Sequence, residues 1–224
     1  MISSTSWTPD EDFNMLFNSM IKIEEDLSIL EKEKEEQLNQ KKPNDYNKNN
    51  QLNIRKILFI ITGRGPQKEY YMNKINKTEF KYFIVKSIWL ESDDYPKILG
   101  SVDLGVCLHY SSSGFDLPMK VVDMFASQLP VCAVYYETIR ELVKENFNGY
   151  LFKDENELQN LLLNIIKEFS AFSSFSLNSL EEKSFVNEGH KELNKFSRNL
   201  KEFGEYDWIT QWDEKAKGEI NRII

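Results

Sequence analysis

The sequence has few of the residues that make simple metal or disulfide frameworks. Its two cysteines, Cys107 and Cys132, stand in the apolar runs "LGVCLH" and "PVCAVYY". No C-x-x-C pair or zinc-finger spacing accompanies them, so they read as buried thiols in strands of a protein from a reducing compartment. Of the two histidines, His109 ends an apolar run and His190 lies in a polar tail, where it reads as solvated. An excess of positive charge is also missing. The 28 Lys and Arg against 36 Asp and Glu leave a net charge of −8. Broad binding to a nucleic-acid backbone needs the opposite balance, whereas a site for one nucleotide needs only a few local donors. No run approaches the ~20 apolar residues of a membrane span. The start "MISSTSW" lacks the basic and apolar regions of a signal peptide, so the sequon at Asn76 carries no weight.

What is present is an alternation. The 224 residues, 41% of them hydrophobic, suffice for one large domain or one domain with trailing segments. Met1 and Ile2 read as the tail of a strand, which suggests the second half of something larger. Phe13, Leu16, Met20, Ile23, Leu27 and Leu30 step by three and four, giving a helix over about 10–31 with Thr8 or Asp10 as its cap. From Glu31 the composition falls to Glu, Lys, Gln and Asn, a solvated helix end running into a disordered insert at about 32–53. "KILFIIT", "KYFIVK", "DLGVCLH" and "PVCAVYY" then read as strands buried on both faces, each followed by a helical stretch. "NFNGYLF" reads as a turn, and Asp154 caps a further helix through Phe169. The strand–loop–helix unit recurs about five times, which predicts an α/β fold, a doubly wound parallel sheet. Residues 1–169 form that domain. Residues 170–224 read as a linker and helices packing on or beside it, with Phe196, Leu200, Phe203, Trp208 and Trp212 as apolar anchors.

Ligands of such sheets bind at the carboxyl ends of the strands, and the polar loops fall there. "SSTSWTPDED" offers Ser3, Ser4 and Thr5 beside a helix N-terminus, a phosphate cradle or simply helix caps. "TGRGP" sets Gly63 and Gly65 around Arg64, a close-approach loop with a guanidinium or only a tight turn. It is neither a Walker loop nor a dinucleotide fingerprint, lacking G-K-[ST] and a third glycine. Trp89, just after a strand, either stacks on a base or fills the core, and the core is the plainer reading. The richest loop is "SSSGFDLPMKVVDMF" (111–125). Gly114 permits a tight backbone and Pro118 suits the start of a helix. Asp116 and Asp123, seven residues apart and so about two helical turns, can address one cleft. Ser113 and Lys120 lie between or beside them, and His109 closes the strand before. Asp123 sits inside the apolar "VVDMFAS", where a buried carboxylate requires partners. Vicinal hydroxyls of a sugar or ribose would supply them.

The runs "SSTSWTPDEDF", "ITGRGPQKEYY", "WLESDDYPKILGSVDLGVCLHYSSSGFDLPMKVVDMFASQLPVCAV" and "ELVKENFNGYLF" together resemble the chitobiosyldiphosphodolichol β-mannosyltransferase family. The resemblance covers most of residues 2–163 apart from the insert, and "YDWITQWDE" resembles the family's C-terminal helix. It implies the C-terminal, Rossmann-like domain of a GT-B glycosyltransferase, which holds GDP-mannose. The acceptor, a dolichol-linked glycan, would be held by an N-terminal domain that also supplies the catalytic base and the membrane anchor. It further implies an inverting displacement at the cytoplasmic face of the endoplasmic reticulum, with no cofactor and no metal as the main catalytic agent, and association with other mannosyltransferases. By the same resemblance Asp123 is the ribose ligand and Asp116 stands near the sugar position. Gly63, Arg64, Gly65 and the loop from Ser3 to Thr5 approach the diphosphate. His109, Ser113, Gly114 and Lys120 complete the expected donor site. The alternative is a truncated, non-catalytic paralogue that binds a nucleotide sugar or a glycosyltransferase partner.

Overall fold

The computed structural model describes residues 1–39, 54, 56–172, 190–204, 212–213 and 217–218. Six strands form one sheet: β1 Ile2–Ser4, β2 Ile57–Thr62, β3 Phe83–Ile88, β4 Gly105–Cys107, β5 Val131–Val134 and β6 Gly149–Phe152. Their order across the sheet is β3-β2-β1-β4-β5-β6, and every neighbouring pair runs parallel. Each crossover carries a helix: α1 Phe13–Asn39, α2 Lys68–Lys77, α3 Tyr95–Leu99, α4 Met119–Ala126 and α5 Ile139–Leu142. After β6 come α6 Glu155–Phe172 and α7 Lys191–Gly204.

Strand residues alternate between two cores, because successive side chains point to opposite faces. Phe59, Ile61, Val106, Cys132 and Val134 join α1, α2 and α6 on one face. Ile2, Ile60, Cys107, Val131 and Ala133 join α3, α4 and α5 on the other. The expected stripe on α1 is the contact surface: Phe13, Leu16, Met20, Ile23 and Leu27 are buried. Its far side meets α6, where Glu155 takes an amide hydrogen bond from Asn18 (2.7 Å) and an ion pair from Lys22 (2.5 Å). The order of strands reverses between β1 and β4, so the crevice for a ligand opens above their carboxyl ends.

Several expectations are corrected. Helix α1 begins at Phe13, and Asp12 caps it by accepting the Asn14 amide hydrogen at 3.0 Å. Neither Thr8 nor Asp10 does, because residues 8–11 close a separate turn with Glu11 N–H donating to Thr8 O. The helix also runs to Asn39, eight residues past the expected end near 31, with an exposed polar last stretch. Strand β1 includes Ser3 and Ser4, which had read as loop. "GYLF", read within a turn, is strand β6, completed by its pairing with β5. His190 is buried rather than solvated. Its Nδ1 accepts the Leu193 N–H (3.2 Å) at the start of α7, and its Nε2 faces Glu168 (3.1 Å). Through Leu193, Phe196 and Leu200, α7 enters both cores. Trp208 and most of the 32–53 insert lie outside the described residues.

Candidate functional site

Two loops meet at the switch point. The β1–α1 loop (5–12) and the β4–α4 loop (108–118) are joined by a backbone bridge between Glu11 and His109 and by the Tyr110 N–H on Asp10 O (3.2 Å). Helix α4 starts at Met119 directly behind, so its N-terminal amides open on the same mouth.

The serines of β1 mostly serve the protein. Ser3 is inside the strand with 0% exposure and its hydroxyl has no partner, so it stands away from the surface where a ligand would come. Ser4 pairs in register with Thr62, which brings the two hydroxyls to 3.2 Å, and Ser4 also meets the Tyr95 hydroxyl at 2.8 Å. Thr5 donates to Glu11 at 2.5 Å and accepts the Trp7 N–H at 3.0 Å. Gly63 and Gly65 do allow a close approach, between two loops of this chain. A Cβ on Gly63 would fall 1.9 Å from Thr5 O, and one on Gly65 1.7 Å from Ser6 O. Trp7, with a positive φ of 54°, is wedged beneath, its ring 4.6 Å from Phe13.

Arg64 and Trp89 end their strands on the same side of the sheet. Trp89 is 52% exposed, which corrects the core reading, and the Arg64 guanidinium lies 3.8 Å from its ring centre. β3 is the edge strand of the sheet, and among the described residues the indole that follows it stays at the surface.

The β4–α4 loop is organised around Asp116. Its carboxylate accepts from the Ser111 hydroxyl, from Ser113 Oγ at 3.1 Å, and meets His109 Nε2 at 2.7 Å. The Ser111 hydrogen bond first, and His109 second, hold this carboxyl down at about 2. Gly114 turns the loop at φ +76°, with open space where a side chain would be. Thr138 Oγ1 donates to Gly114 O (2.9 Å) and Tyr136 donates to Asp116 O (3.2 Å), so the loop is held from the α5 side. Its apolar residues face outward: Phe115 is 85% exposed, and Leu117 and Met119 are also exposed.

Asp123 lies on the solvent side of α4, not among the buried residues Val121, Met124 and Phe125. The apolar neighbours that suggested burial form the opposite face of the same helix. No side chain among the described residues bonds its carboxylate, and partial desolvation raises its pKa. Its charge in turn contributes to raising the Tyr95 hydroxyl, after burial as the main cause.

Sequence reasoning missed Glu11. Its carboxylate is 2% exposed and pairs with the Lys120 ammonium across the mouth, while its other oxygen takes Thr5 Oγ1 and the Ser6 N–H (2.6 Å). Asp10, Glu11 and His109 also bring two carboxylates and an imidazole together, one oxygen or nitrogen of each within 4.8 Å of the others. Glu11 and His109 are already engaged by Lys120 and Asp116. Of the expected site residues, the mouth gathers Thr5, His109, Ser113, Asp116 and Lys120. Arg64 stands aside on Trp89, and Ser3 lies below in the sheet.

The family model described as "Glycosyl transferases group 1" matches residues 45–168. Among curated proteins, the chain is 42% identical over 213 residues to the chitobiosyldiphosphodolichol beta-mannosyltransferase of Dictyostelium discoideum, covering 95% of this chain and 40% of that protein. The human protein of that name is 41% identical over 212 residues, with 95% and 38% covered. The UDP-glycosyltransferase TURAN of Arabidopsis thaliana is 40% identical over 224 residues, with 100% and 43% covered. The chain thus spans about two fifths of the length of these relatives. In fold it is similar to Anabaena HepE, crystallised with UDP, at TM-score 0.60 and 15% identity, covering 98% of this chain and 48% of that one. It is also similar to the C-terminal domain of the group 1 glycosyl transferase LpcC from Francisella tularensis (TM-score 0.53, 15% identity, 92% and 85% covered). Parallel order, switch-point mouth and family match agree: the chain belongs to the group 1 glycosyl transferases, with the fold of their C-terminal domain.

Proposed function

We propose that this chain is the donor-binding half of an inverting mannosyltransferase that takes mannose from GDP-mannose to the dolichol-diphosphate-linked chitobiose. The observation that carries the reading is the Asp123 carboxylate, unpartnered among the described residues, on the helix whose N-terminus opens the switch-point mouth. A carboxylate so placed accepts from the two hydroxyls of a ribose. The diphosphate then lies over the α4 N-terminus and the Lys120 ammonium. The names of the relatives supply mannose, dolichol and the β linkage.

In the reaction an acceptor hydroxyl attacks the anomeric carbon as its bond to the diphosphate breaks. The proton passes to a base, and GDP leaves with the electron pair. The mouth described here would stabilise that leaving charge. We assign the base and the acceptor contacts to the part of the relatives' length that this chain does not span. The dolichol acceptor puts the reaction at a membrane, by this reading the cytoplasmic face of the endoplasmic reticulum. Among the described residues no helix is long and apolar enough to cross one.

The name of the Arabidopsis relative favours a second reading, a chain that binds a UDP-sugar. Calorimetric titration of GDP-mannose, GDP, UDP-glucose and ADP separates the two. The first reading expects GDP-mannose to bind, and Asp123→Ala to weaken it by about 1–3 kcal/mol, the range for a hydrogen bond to a charged group. Binding of UDP-glucose without GDP-mannose would replace the mannosyl reading. Unchanged affinity in a folded Asp123→Ala chain would remove the ribose role.

A further inference from the structure

We propose that Glu11 is a positioning residue for the donor: its buried carboxylate holds the Lys120 ammonium at the mouth, where the nucleotide sugar's diphosphate would lie. The inference rests on the donor-site reading above and deepens it. It begins from the location of a charge. A carboxylate 2% exposed is costly unless every lone pair is used. Glu11 uses them on three groups from two elements. Thr5 Oγ1 donates at 2.5 Å and the Ser6 N–H at 2.6 Å from the end of β1, and the Lys120 ammonium reaches in from the first turn of α4.

The first two contacts need only an acceptor, which a neutral amide could supply. The third needs the negative charge. Lysine is a point charge on a flexible four-carbon stem and is not aimed by its own geometry. Here it is aimed by Glu11 together with Ser6 Oγ, which accepts from Nζ at 3.1 Å. The side chain is about three-quarters covered, and burial draws the ammonium down to about 8. The ionisable groups facing it are Glu11 and Asp10 from the β1–α1 loop. His109 and Asp116 of the β4–α4 loop stand beyond Asp10, and Asp123 follows one turn along α4. Asp10 works to keep the proton on Lys120. Glu11 is the carboxylate in direct contact, so it is the group that fixes where the ammonium sits. A diphosphate arriving over the α4 N-terminus then meets a cation already fixed, and no side-chain ordering is left to be done on binding.

The test is a double-mutant cycle read by calorimetry, with GDP-mannose and UDP-glucose titrated into the full chain between pH 6.5 and 8.5. The variants are Glu11→Gln, Lys120→Met and the two combined. The wild type is expected to bind one of the two donors, with affinity falling as pH passes through about 8. Glu11→Gln should weaken binding roughly tenfold at neutral pH, the scale of one charged contact, and shift that fall to lower pH. In the Lys120→Met background the same substitution should cost nothing further. An equal loss with and without Lys120, or a pH profile that does not move, overturns the inference. A wild type that binds neither donor removes the donor-site reading, and the inference with it. If Glu11→Gln does not fold, Glu11→Asp decides: it keeps the charge but draws it back from Lys120 by one methylene, and it should weaken donor binding several-fold with Lys120 present and not in the Lys120→Met background; an equal loss in both overturns the inference.

Discussion

Asp116 shows how a side chain's partners set its role. The carboxyl is surrounded by two hydroxyls of its own loop and by His109, and the Ser111 contact chiefly keeps it ionised down to about 2. The sign follows from that depression. The ionised form contributes to stability above the ordinary value of 3.8, and the contribution is lost as pH falls from there through about 2. Asp116→Asn should therefore destabilise the chain at neutral pH, and its deficit should shrink toward zero between pH 4 and 2. Urea unfolding of both proteins across that window measures it, and a deficit constant with pH would show that the charge is not responsible. The sequence marked Asp116 and Asp123 as two carboxylates that could address one cleft. It did not separate the one consumed by its own loop from the one left open, because hydroxyls three and five residues away were not followed in space. Glu11 was hidden for a related reason. In "PDEDF" it is one of three acids before a helix, and only the fold brings Lys120, more than a hundred residues later, against it.

At the scale of elements, helix α4 is the part most fully legible beforehand. Pro118 before it and the apolar positions Val121, Met124 and Phe125 at helical spacing were all visible in the sequence. Its end was not. The Leu129 N–H bonds Met124 O and the Gln128 N–H bonds Phe125 O (both 2.9 Å), a double closure that leaves Gln128 at φ 57°. Glycine is the usual residue there, and its absence removed the signal. A left-handed residue costs about 1–2 kcal/mol, part of which glycine returns as entropy of the unfolded chain. Gln128→Gly should thus stabilise by about 0.5–1 kcal/mol in thermal or denaturant unfolding. A loss of stability would mean that the Gln128 side chain contributes something the backbone geometry does not show. Strand β6 was missed because four residues beginning at the glycine of an Asn-Gly pair resemble a turn, and only the open edge of β5 makes them a strand. Parallel pairing is nonlocal and leaves no mark on the strand itself.

The whole molecule closes through α7. Phe196 is buried, with its ring edge-on to Tyr150 at 5.1 Å, and the Tyr150 hydroxyl donates to Glu192 on the same helix at 2.5 Å. Asn199 adds a hydrogen bond to Phe147 O at 2.6 Å. A helix distant in sequence thereby belongs to the same core as the sheet. Phe196→Ala should cost about 3–5 kcal/mol of global stability, read as a lower denaturant midpoint in a single transition. A separate early transition would show α7 unfolding by itself. The doubly wound sheet was readable from β2 to β5, because each of those strands is an apolar run followed by a helical stretch. The two glycines of the β2–α2 loop have a consequence for the molecule as a machine. Thr5 and Ser6 carbonyls press where side chains of residues 63 and 65 would be, whereas nothing occupies the space in front of Gly114. The mouth therefore has one cast jaw and one with clearance. Room for a guest of different shape is in front of Gly114, before a loop pinned by Thr138 and Tyr136, and none is left at Gly63 and Gly65.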